Sequence, residues 1–260
     1  MCRLLGFCAR EEVPVAQLMG ADGFAEFTGL AALHSDGWGM GWYEGSEPQL
    51  RKAPEPADHD PEYAKLAHEM LGDIGLVHLR WATPGLEISE RNTHPFRYGP
   101  YLLAHNGAIH PQDRLGEIIP PGWDEKRAGT TDSEFYFLGI MSRLEENGGD
   151  LPKAIGGTTA HVEELFAPAS LNAILLTPAR MYAINWHDAT KVAEADLRKR
   201  GWQGSQDDVL AYLDLRYRIT PEAVVVASTG WPQDGWDLLP NRHLLVVDRT
   251  TLHREVKPLC

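Results

Sequence analysis

The sequence predicts an α+β fold, a layered domain in which strands and helices come in separate runs. In the last third of the chain, short apolar segments are separated by turns containing Gly, Pro, Asn or Asp, which is typical of antiparallel strands. Helical spacing is confined to a few segments and does not follow every strand, as it would in a parallel doubly wound sheet. The chain has 260 residues, of which 43% are hydrophobic, enough for a sizeable core. We therefore expect one domain over residues 1–260.

The first half of the chain mixes strands with short helices. Residues 4–9 form an apolar run that predicts a buried strand. Residues 16–33 have helical spacing interrupted by glycines, which predicts one or two short helices. In residues 34–43, glycines alternate with large side chains, as on a strand that another backbone approaches closely. Residues 50–53 are its expected hairpin partner.

Capping residues locate the longer helices. Asp60, Pro61 and Glu62 are a favourable helix start, and the helix is expected to end near residue 71. Thr131 similarly caps a helix over residues 135–144. A further helix is expected over residues 153–166. The remaining segments are predicted strands over residues 74–81, 101–104, 171–177, 181–186, 210–217, 223–228, 244–247 and 252–256, with a long loop over residues 83–95.

Charge and cysteine content narrow the class of partner. The chain has 24 basic and 37 acidic residues, a net charge of −13, which argues against nucleic acid or an anionic membrane as the main partner. The three cysteines, Cys2, Cys8 and Cys260, fit neither a disulfide framework nor a zinc site. No apolar run approaches the ~20 residues of a membrane span. We expect a cytoplasmic protein.

Cys2 is the residue with the most reactive chemistry. Removal of Met1 would leave a thiol and an α-amine on the same residue. The amine, with a pKa near ~7.7–8.0, can accept a proton, and the thiol is a strong nucleophile near neutral pH. Cys2 could therefore act as nucleophile and base. A cysteine at this position could also be a small buried hydrophobic residue, as we expect for Cys8 on the same strand face.

Polar side chains elsewhere are ambiguous when each is considered alone. Asn106-Gly107 could be a hairpin turn, Arg80 a surface charge and Asp132 a helix cap. Together with Cys2 they form an ordered set that resembles the class-II glutamine amidotransferases, a family of N-terminal-nucleophile (Ntn) hydrolases. The segments that carry the resemblance are residues 2–6, 78–83, 104–107 and 131–134. Residues 34–39, 92–96, 225–228 and 244–248 are similar to the stand-alone bacterial branch that includes ergothioneine-pathway γ-glutamyl hydrolases.

The resemblance implies a fold and a set of roles. The fold would be a four-layer αββα sandwich of two packed, mainly antiparallel sheets. Cys2 would attack the γ-carbonyl of a γ-glutamyl amide and form a thioester. The Asn106 side chain and the Gly107 backbone N–H would bind the oxyanion. Arg80 and Thr83 would bind the substrate α-carboxylate, and Asp132 the α-ammonium.

The substrate and the activity remain open at this stage. The substrate is glutamine, with ammonia passed to a separate synthase subunit, or a γ-glutamyl conjugate of a small amine or amino acid. For a conjugate, residues 231–236 are a candidate pocket wall. The alternative from another class is a non-catalytic ligand-binding or regulatory domain that retains Met1. No metal or cofactor is expected, because an N-terminal thiol needs neither for this reaction.

Two positions depart from the family pattern. Pro84-Gly85 follows the segment of residues 80–83, where the larger synthases commonly have His-Gly. Thr229 follows Ser228, where relatives often have Glu. We expect these differences to affect the loop over the substrate and the leaving-group side of the pocket.

Overall fold

A computed structural model describes residues 2–192 and 194–259, so Met1 and Cys260 lie outside the described residues. The strands are β1 Arg3–Val13, β2 Trp38–Glu44, β3 Glu47–Ala53, β4 Gly72–Leu79, β5 Phe96–Tyr98, β6 Tyr101–Gly107, β7 Leu171–Leu176, β8 Arg180–Asn185, β9 Leu215–Ile219, β10 Ala223–Ser228, β11 Asp237–Leu238, β12 His243–Asp248 and β13 Arg254–Pro258. The helices are α1 Val15–Met19, α2 Ala21–Gly29, α3 Pro61–Glu69, α4 Asp132–Glu146, α5 Leu151–Phe166, α6 Glu194–Lys199 and α7 Gln206–Leu210.

The strands form two antiparallel sheets that pack face to face. The first sheet has the order β11-β9-β10-β1-β4-β2-β3, and the second has the order β13-β12-β8-β7-β6-β5. Helices α1, α2 and α3 pack on the outer face of the first sheet, and α4 and α5 on that of the second. The predicted α+β class and four-layer αββα sandwich are therefore confirmed.

Successive side chains of β1 point alternately to its two faces, so the strand contributes to two hydrophobic cores. Leu4 and Cys8 are fully buried among side chains of both sheets, whereas Leu5 and Phe7 pack against the helices on the outer face. This is the two-residue period of a strand whose two faces are both covered. The expectation that Cys8 serves in core packing is confirmed.

The capping signals also identified helix starts correctly. The Asp60 side chain accepts a hydrogen bond from Glu62 N at 2.8 Å, and Pro61 occupies the first helical position of α3. The Thr131 hydroxyl accepts one from Glu134 N at 3.3 Å at the start of α4. These bonds satisfy amide groups that have no partner within the helix.

The strand predicted over residues 210–217 begins too early in the chain. The strand β9 begins only at Leu215, and the residues before it form the short helix α7 and a turn. Ser205 and Asp208 form a capping box in which each side chain accepts from the other residue's backbone N–H. That pattern is a helix-start signal, and it outweighs the apolar content of residues 209–213.

The glycine-rich segment of residues 34–43 is partly a loop, and its strand begins at Trp38. A Cβ atom at Gly39 would collide with the backbone carbonyl of His94, so the expected close approach of another backbone is confirmed. Within the described part of the chain, every helix is too short or too polar to cross a membrane.

Candidate active site

Cys2 lies immediately before β1, at the edge where the two sheets meet, and is 5% exposed. Its backbone N–H donates a hydrogen bond to Asn106 Oδ1 at 2.6 Å. Its Sγ accepts one from Trp81 N at 3.3 Å. Antiparallel pairing of Arg3 with Leu79 brings the end of β4 beside Cys2, so residues far apart in sequence surround this thiol.

Asn106 and Gly107 end β6 in the second sheet. The Asn106 carbonyl accepts from Ser170 Oγ at 2.7 Å, and its Oδ1 accepts from Cys2. Its Nδ2 is buried and has no hydrogen-bond acceptor among the described residues. A buried amide donor without a partner is costly, and here it belongs to the side chain that contacts Cys2. At Gly107 a Cβ atom would collide with the Ser170 carbonyl, so only glycine fits.

Arg80 follows the last residue of β4 and is 2% exposed. Its guanidinium donates to two backbone carbonyls, that of Asp36 at 3.3 Å and that of Glu87 at 3.1 Å. Burial lowers the pKa of Arg80, while the charges of Cys2, Asp36 and Asp132 raise it. A guanidinium held only by neutral acceptors can exchange one of them for a carboxylate.

Asp132 is the first residue of α4 and is 2% exposed. Its Oδ2 accepts from Ile109 N at 2.7 Å, and burial raises the pKa of its carboxyl. Neither Asp132 nor Arg80 takes part in an ion pair with any of the described side chains. The structure thus holds a buried guanidinium and a buried carboxyl group, neither of which is within ion-pair distance of an opposite charge among the described side chains.

These residues line one small cleft with a cavity volume of about 20 Å³. Of the predicted site residues, Cys2, Arg80, Thr83, Gly107 and Asp132 line it directly. The sixth, Asn106, reaches it through its bond to Cys2 N. All six candidate residues are therefore brought together at one point of the fold.

Three buried histidines form one wall behind the cleft. The rings of His78 and His94 lie 4.2 Å apart between centroids, and His105 Nδ1 is 2.9 Å from Ser133 Oγ. Burial lowers the pKa of His78 to about 3 and that of His105 to about 4, and it holds the pKa of His94 well below its ordinary value. All three rings are neutral near pH 7.

Asp36 has a role that the sequence did not reveal. Its carboxylate accepts from Ala82 N at 2.8 Å and from Arg200 Nη2 at 2.7 Å. The Asp36 carboxylate thereby holds the chain just after β4, next to Trp81. Asp36-Gly37 marks a turn in the sequence, but nothing there indicates a partner 46 residues away.

Arg3 is a second residue that sequence reasoning missed. Its buried guanidinium stacks on the Tyr212 ring at 3.8 Å and donates to the Tyr212 carbonyl at 3.1 Å and to that of Cys2 at 3.4 Å. The residue that follows Cys2 is thereby anchored to the segment that precedes β9. The only available signal was a charged residue inside an apolar strand.

A larger cavity of about 560 Å³ adjoins the cleft. The two share Trp81, Ala82, Thr83 and Gly107. The predicted wall of residues 231–236 is not part of it, because Trp231 lines a different cavity that has no lining residue in common with the cleft. Thr229 lines that other cavity too, and its hydroxyl donates to the Ala211 carbonyl at 2.7 Å.

Comparison with known proteins identifies the family. The family model for class-II glutamine amidotransferases matches residues 1–254. A γ-glutamyl-hercynylcysteine sulfoxide hydrolase of Mycolicibacterium smegmatis is 31% identical over 229 residues, which cover 87% of this chain and 83% of that protein. A putative glutamine amidotransferase of Escherichia coli is 31% identical over 173 residues, 64% of each chain.

Solved structures agree at the level of the fold. A glutamine aminotransferase class-II domain protein from Silicibacter pomeroyi superimposes with a TM-score of 0.65 at 18% identity, covering 99% of both chains. The glutamine phosphoribosylpyrophosphate amidotransferase of Bacillus subtilis gives the same TM-score at 15% identity, and its match covers 49% of that longer chain. By its sequence and by its two-sheet architecture, this chain belongs to the class-II glutamine amidotransferases, enzymes that act on amide bonds.

Proposed function

We propose that the chain is an N-terminal-cysteine amidohydrolase that cleaves the γ-amide of a γ-glutamyl substrate. The observation that supports this most directly is the pair of buried ionisable groups, Arg80 and Asp132, that line the cleft beside Cys2 and form no direct ion pair with any described side chain. A glutamyl α-carbon carries a carboxylate and an ammonium, so it supplies both missing partners at once. Two unpaired buried charges are otherwise difficult to explain, because each costs free energy.

The reaction begins once Met1 has been removed. The Cys2 thiol transfers its proton to the Cys2 α-amine, directly or through one water, and Sγ attacks the γ-carbonyl carbon. The tetrahedral intermediate collapses, the amine passes a proton to the leaving nitrogen, and a γ-glutamyl thioester remains. Water then attacks the thioester, with the amine again as base, and releases glutamate and the free thiol.

The oxyanion of each tetrahedral intermediate needs donors that are in place before charge develops. We assign this role to Asn106 Nδ2 and to the Gly107 backbone N–H. Because Oδ1 of the same amide accepts from Cys2 N, the orientation of the Asn106 side chain is fixed with Nδ2 free. Loss of one such donor typically costs ~2.7–4 kcal/mol of barrier.

Substrate entry requires a local rearrangement. A volume of about 20 Å³ holds about one water, not a glutamyl group. The Glu87 carbonyl occupies a donor of Arg80 that the substrate carboxylate would use. We therefore expect the loop of residues 83–89 to withdraw, the carboxylate replacing that carbonyl, with Thr83 as an additional hydroxyl donor.

Two substrates fit this chemistry. Glutamine is the substrate that the family name indicates, and it would release ammonia for a separate synthase subunit. A γ-glutamyl conjugate is the second candidate, favoured by the adjoining cavity of about 560 Å³ and by the name of the Mycolicibacterium smegmatis relative. We further propose that residues 1–260 act as a single cytoplasmic domain, which accords with the family match over residues 1–254.

The test is the intact mass of the purified protein before and after incubation with 6-diazo-5-oxo-L-norleucine, a glutamine analogue that alkylates this kind of nucleophile. We expect a chain without Met1 that gains one adduct, mapped to Cys2. A chain that retains Met1 and gains no adduct would overturn the proposal and favour a non-catalytic binding domain.

A further inference from the structure

The backbone of Trp81 provides the hydrogen bonds of the Cys2 thiol. Sγ accepts one from Trp81 N at 3.3 Å and donates one to the Trp81 carbonyl at 3.5 Å. No other residue in the described part of the chain forms a hydrogen bond with this sulfur. An N–H donor stabilises a thiolate, whereas a carbonyl stabilises the protonated thiol. The orientation of the Trp81 backbone therefore bears directly on how readily Sγ becomes a nucleophile.

Trp81 lies beyond the end of β4, and two anchors hold the chain on either side of it. Before it, Arg80 N donates to the Gly37 carbonyl at 2.8 Å. After it, Ala82 N donates to Asp36 Oδ2 at 2.8 Å. The first anchor is a bond between backbone groups, but the second depends on where the Asp36 side chain lies. A rotation of this carboxylate would release the backbone that follows Trp81.

Arg200, the residue after α6, contacts both this carboxylate and Trp81. Its Nη2 donates to Asp36 Oδ2 at 2.7 Å, and its guanidinium lies 4.5 Å from the centroid of the Trp81 ring. Its Nη1 also donates to the Leu33 carbonyl at 3.4 Å. One side chain thereby restrains the acceptor of Ala82 N and the ring of the residue whose backbone contacts the thiol.

The pair of Arg200 and Asp36 is shielded from water. The Asp36 side chain is 11% exposed and that of Arg200 is 32% exposed, whereas the neighbouring pair of Lys199 and Asp196 is 74% and 61% exposed. Among the described side chains, Arg200 is the only cation within ion-pair distance of the Asp36 carboxylate. A nearly buried carboxylate that loses its partner is costly, so it turns toward solvent or another donor. Either movement would break its bond to Ala82 N.

We propose that Arg200 is a positioning residue for the nucleophilic attack: through Asp36 and the Trp81 ring, it holds the Trp81 backbone against Cys2 Sγ. The inference rests on the proposed function and adds to it a residue from a surface segment. None of the hydrogen bonds and ion pairs of Arg200 reaches Cys2 or the two side chains assigned to the glutamyl end. Its effect is therefore expected on the rate of attack and not on binding of the glutamyl group.

The test measures inactivation by 6-diazo-5-oxo-L-norleucine, which separates attack from binding. Sγ forms a thioether with the diazo carbon, that carbon takes the thiol proton, and dinitrogen leaves. The limiting rate constant, kinact, reports the attack, and the concentration that gives half of kinact reports the glutamyl pocket. Arg200 also lines the adjoining cavity, but dinitrogen is too small for a contact between Arg200 and a leaving group to contribute.

Arg200→Met should lower kinact by about tenfold, because a small displacement of a reacting group is costly in rate. The half-saturating concentration should stay within about twofold. Arg200→Lys keeps a cation beside Asp36 and the Trp81 ring and should recover most of kinact. Arg198→Met is the matched control: Arg198 lies on α6 and bonds to Glu194 at 2.7 Å, so its replacement should leave kinact unchanged.

A double variant tests whether Arg200 acts through Asp36. Asp36→Asn keeps an acceptor for Ala82 N but removes the carboxylate that Arg200 holds, so it should also lower kinact. If the two side chains act as a unit, Arg200→Met combined with Asp36→Asn should be slowed by less than the product of the two single effects. Effects that multiply would show independent roles and overturn the inference.

The other failures can be distinguished from one another. An unchanged kinact in folded Arg200→Met, or a rise in the half-saturating concentration alone, would overturn the inference and leave the proposed function standing. Should Arg200→Met fail to fold, Asp36→Asn decides in its place, and an unchanged kinact there overturns the inference. Absence of any Cys2 adduct in the unaltered protein would instead refute the proposed function, and the inference with it.

Discussion

The cleft at Cys2 and the cavity beside it are built in opposite ways. The cleft has a volume of about 20 Å³, and its charged groups are at most 2% exposed. The cavity has a volume of about 560 Å³, and its lysines are exposed. Cleft residues stand at the ends of β4 and β6 and at the start of α4, elements whose other residues form the core. The cavity cations Lys191, Lys199 and Arg200 instead come from a helix and its flanking residues near the surface.

This difference in construction determines which residues can change without disturbing the core and which cannot. A residue at the end of a core strand is positioned by the packing of the whole strand, so we expect the groups at the strand ends to keep their positions around the proposed scissile amide. A wall made from surface segments can change without cost to the core. We therefore expect strict selection of the glutamyl end of the substrate and a weaker, adaptable selection of the leaving group.

Replacement of Cys2 should have the largest effect on the cleft. Cys2→Ala should lower kcat by ~10⁴-fold or more, because no other nucleophile takes its place, while ligand affinity stays within a few fold. Turnover and calorimetric binding measure the two. Cys8→Ala is the matched control, since Cys8 is buried in the core between the sheets, and it should keep its turnover. A Cys2→Ala protein that retains activity would refute the mechanism.

Truncated substrates test the rigidity of the glutamyl end without altering the protein. Glutaramate lacks the α-ammonium, and 4-aminobutyramide lacks the α-carboxylate. Each should lose about 10⁴-fold in kcat/KM relative to glutamine, because Asp132 or Arg80 is then left buried without its partner. A loss of tenfold or less would remove the contrast between the two regions.

The oxyanion assignment predicts a smaller change that affects kcat alone. Asn106→Ala should lower kcat by roughly 10²–10³-fold with little change in KM, because the donor acts only as negative charge develops. Asn185→Ala also removes a buried amide, but Asn185 does not line the cleft, and kcat of the folded protein should be unchanged. A pure KM effect would move Asn106 to substrate binding.

The buried histidines behind the cleft predict that the free energy of unfolding depends on pH. The pKa of His105 is about 4 in the folded protein, below the ordinary 6.5, so the unfolded chain binds more protons as the pH falls between these values. Stability should therefore decrease by about 2 kcal/mol from pH 7 to pH 5 on account of His105.

Urea unfolding of His105→Asn at the two pH values measures this contribution. Between pH 7 and pH 5, the free energy of unfolding of this variant should fall by about 2 kcal/mol less than that of the unaltered protein. His59→Asn replaces a histidine whose side chain is 80% exposed and should leave the dependence as it is in the unaltered protein. Equal slopes for the two variants would show that His105 titrates normally.

Sequence reasoning selected residues that the fold brings together at one cleft. Cys2, Asn106 and Asp132 were selected because the order of their segments resembles that of the class-II glutamine amidotransferases, and the roles assigned to them stay predictions. The helices α6 and α7 were missed because they are short and mostly polar, so their periodicity is weak. The cavity was missed because four segments distant in sequence form its walls, and only the packing of the sheets places them side by side.

The central position of β1 bears on when the proposed enzyme could mature. In the folded chain, Cys2 N is buried against Asn106, beyond the reach of an aminopeptidase. One neighbour of β1, however, is β10, which begins at Ala223. At ~5–20 residues per second, roughly 10–45 s of synthesis separate the two strands. The start of the chain would therefore stay accessible for most of translation, and we expect the proposed loss of Met1 to precede folding, while the ribosome is still at work.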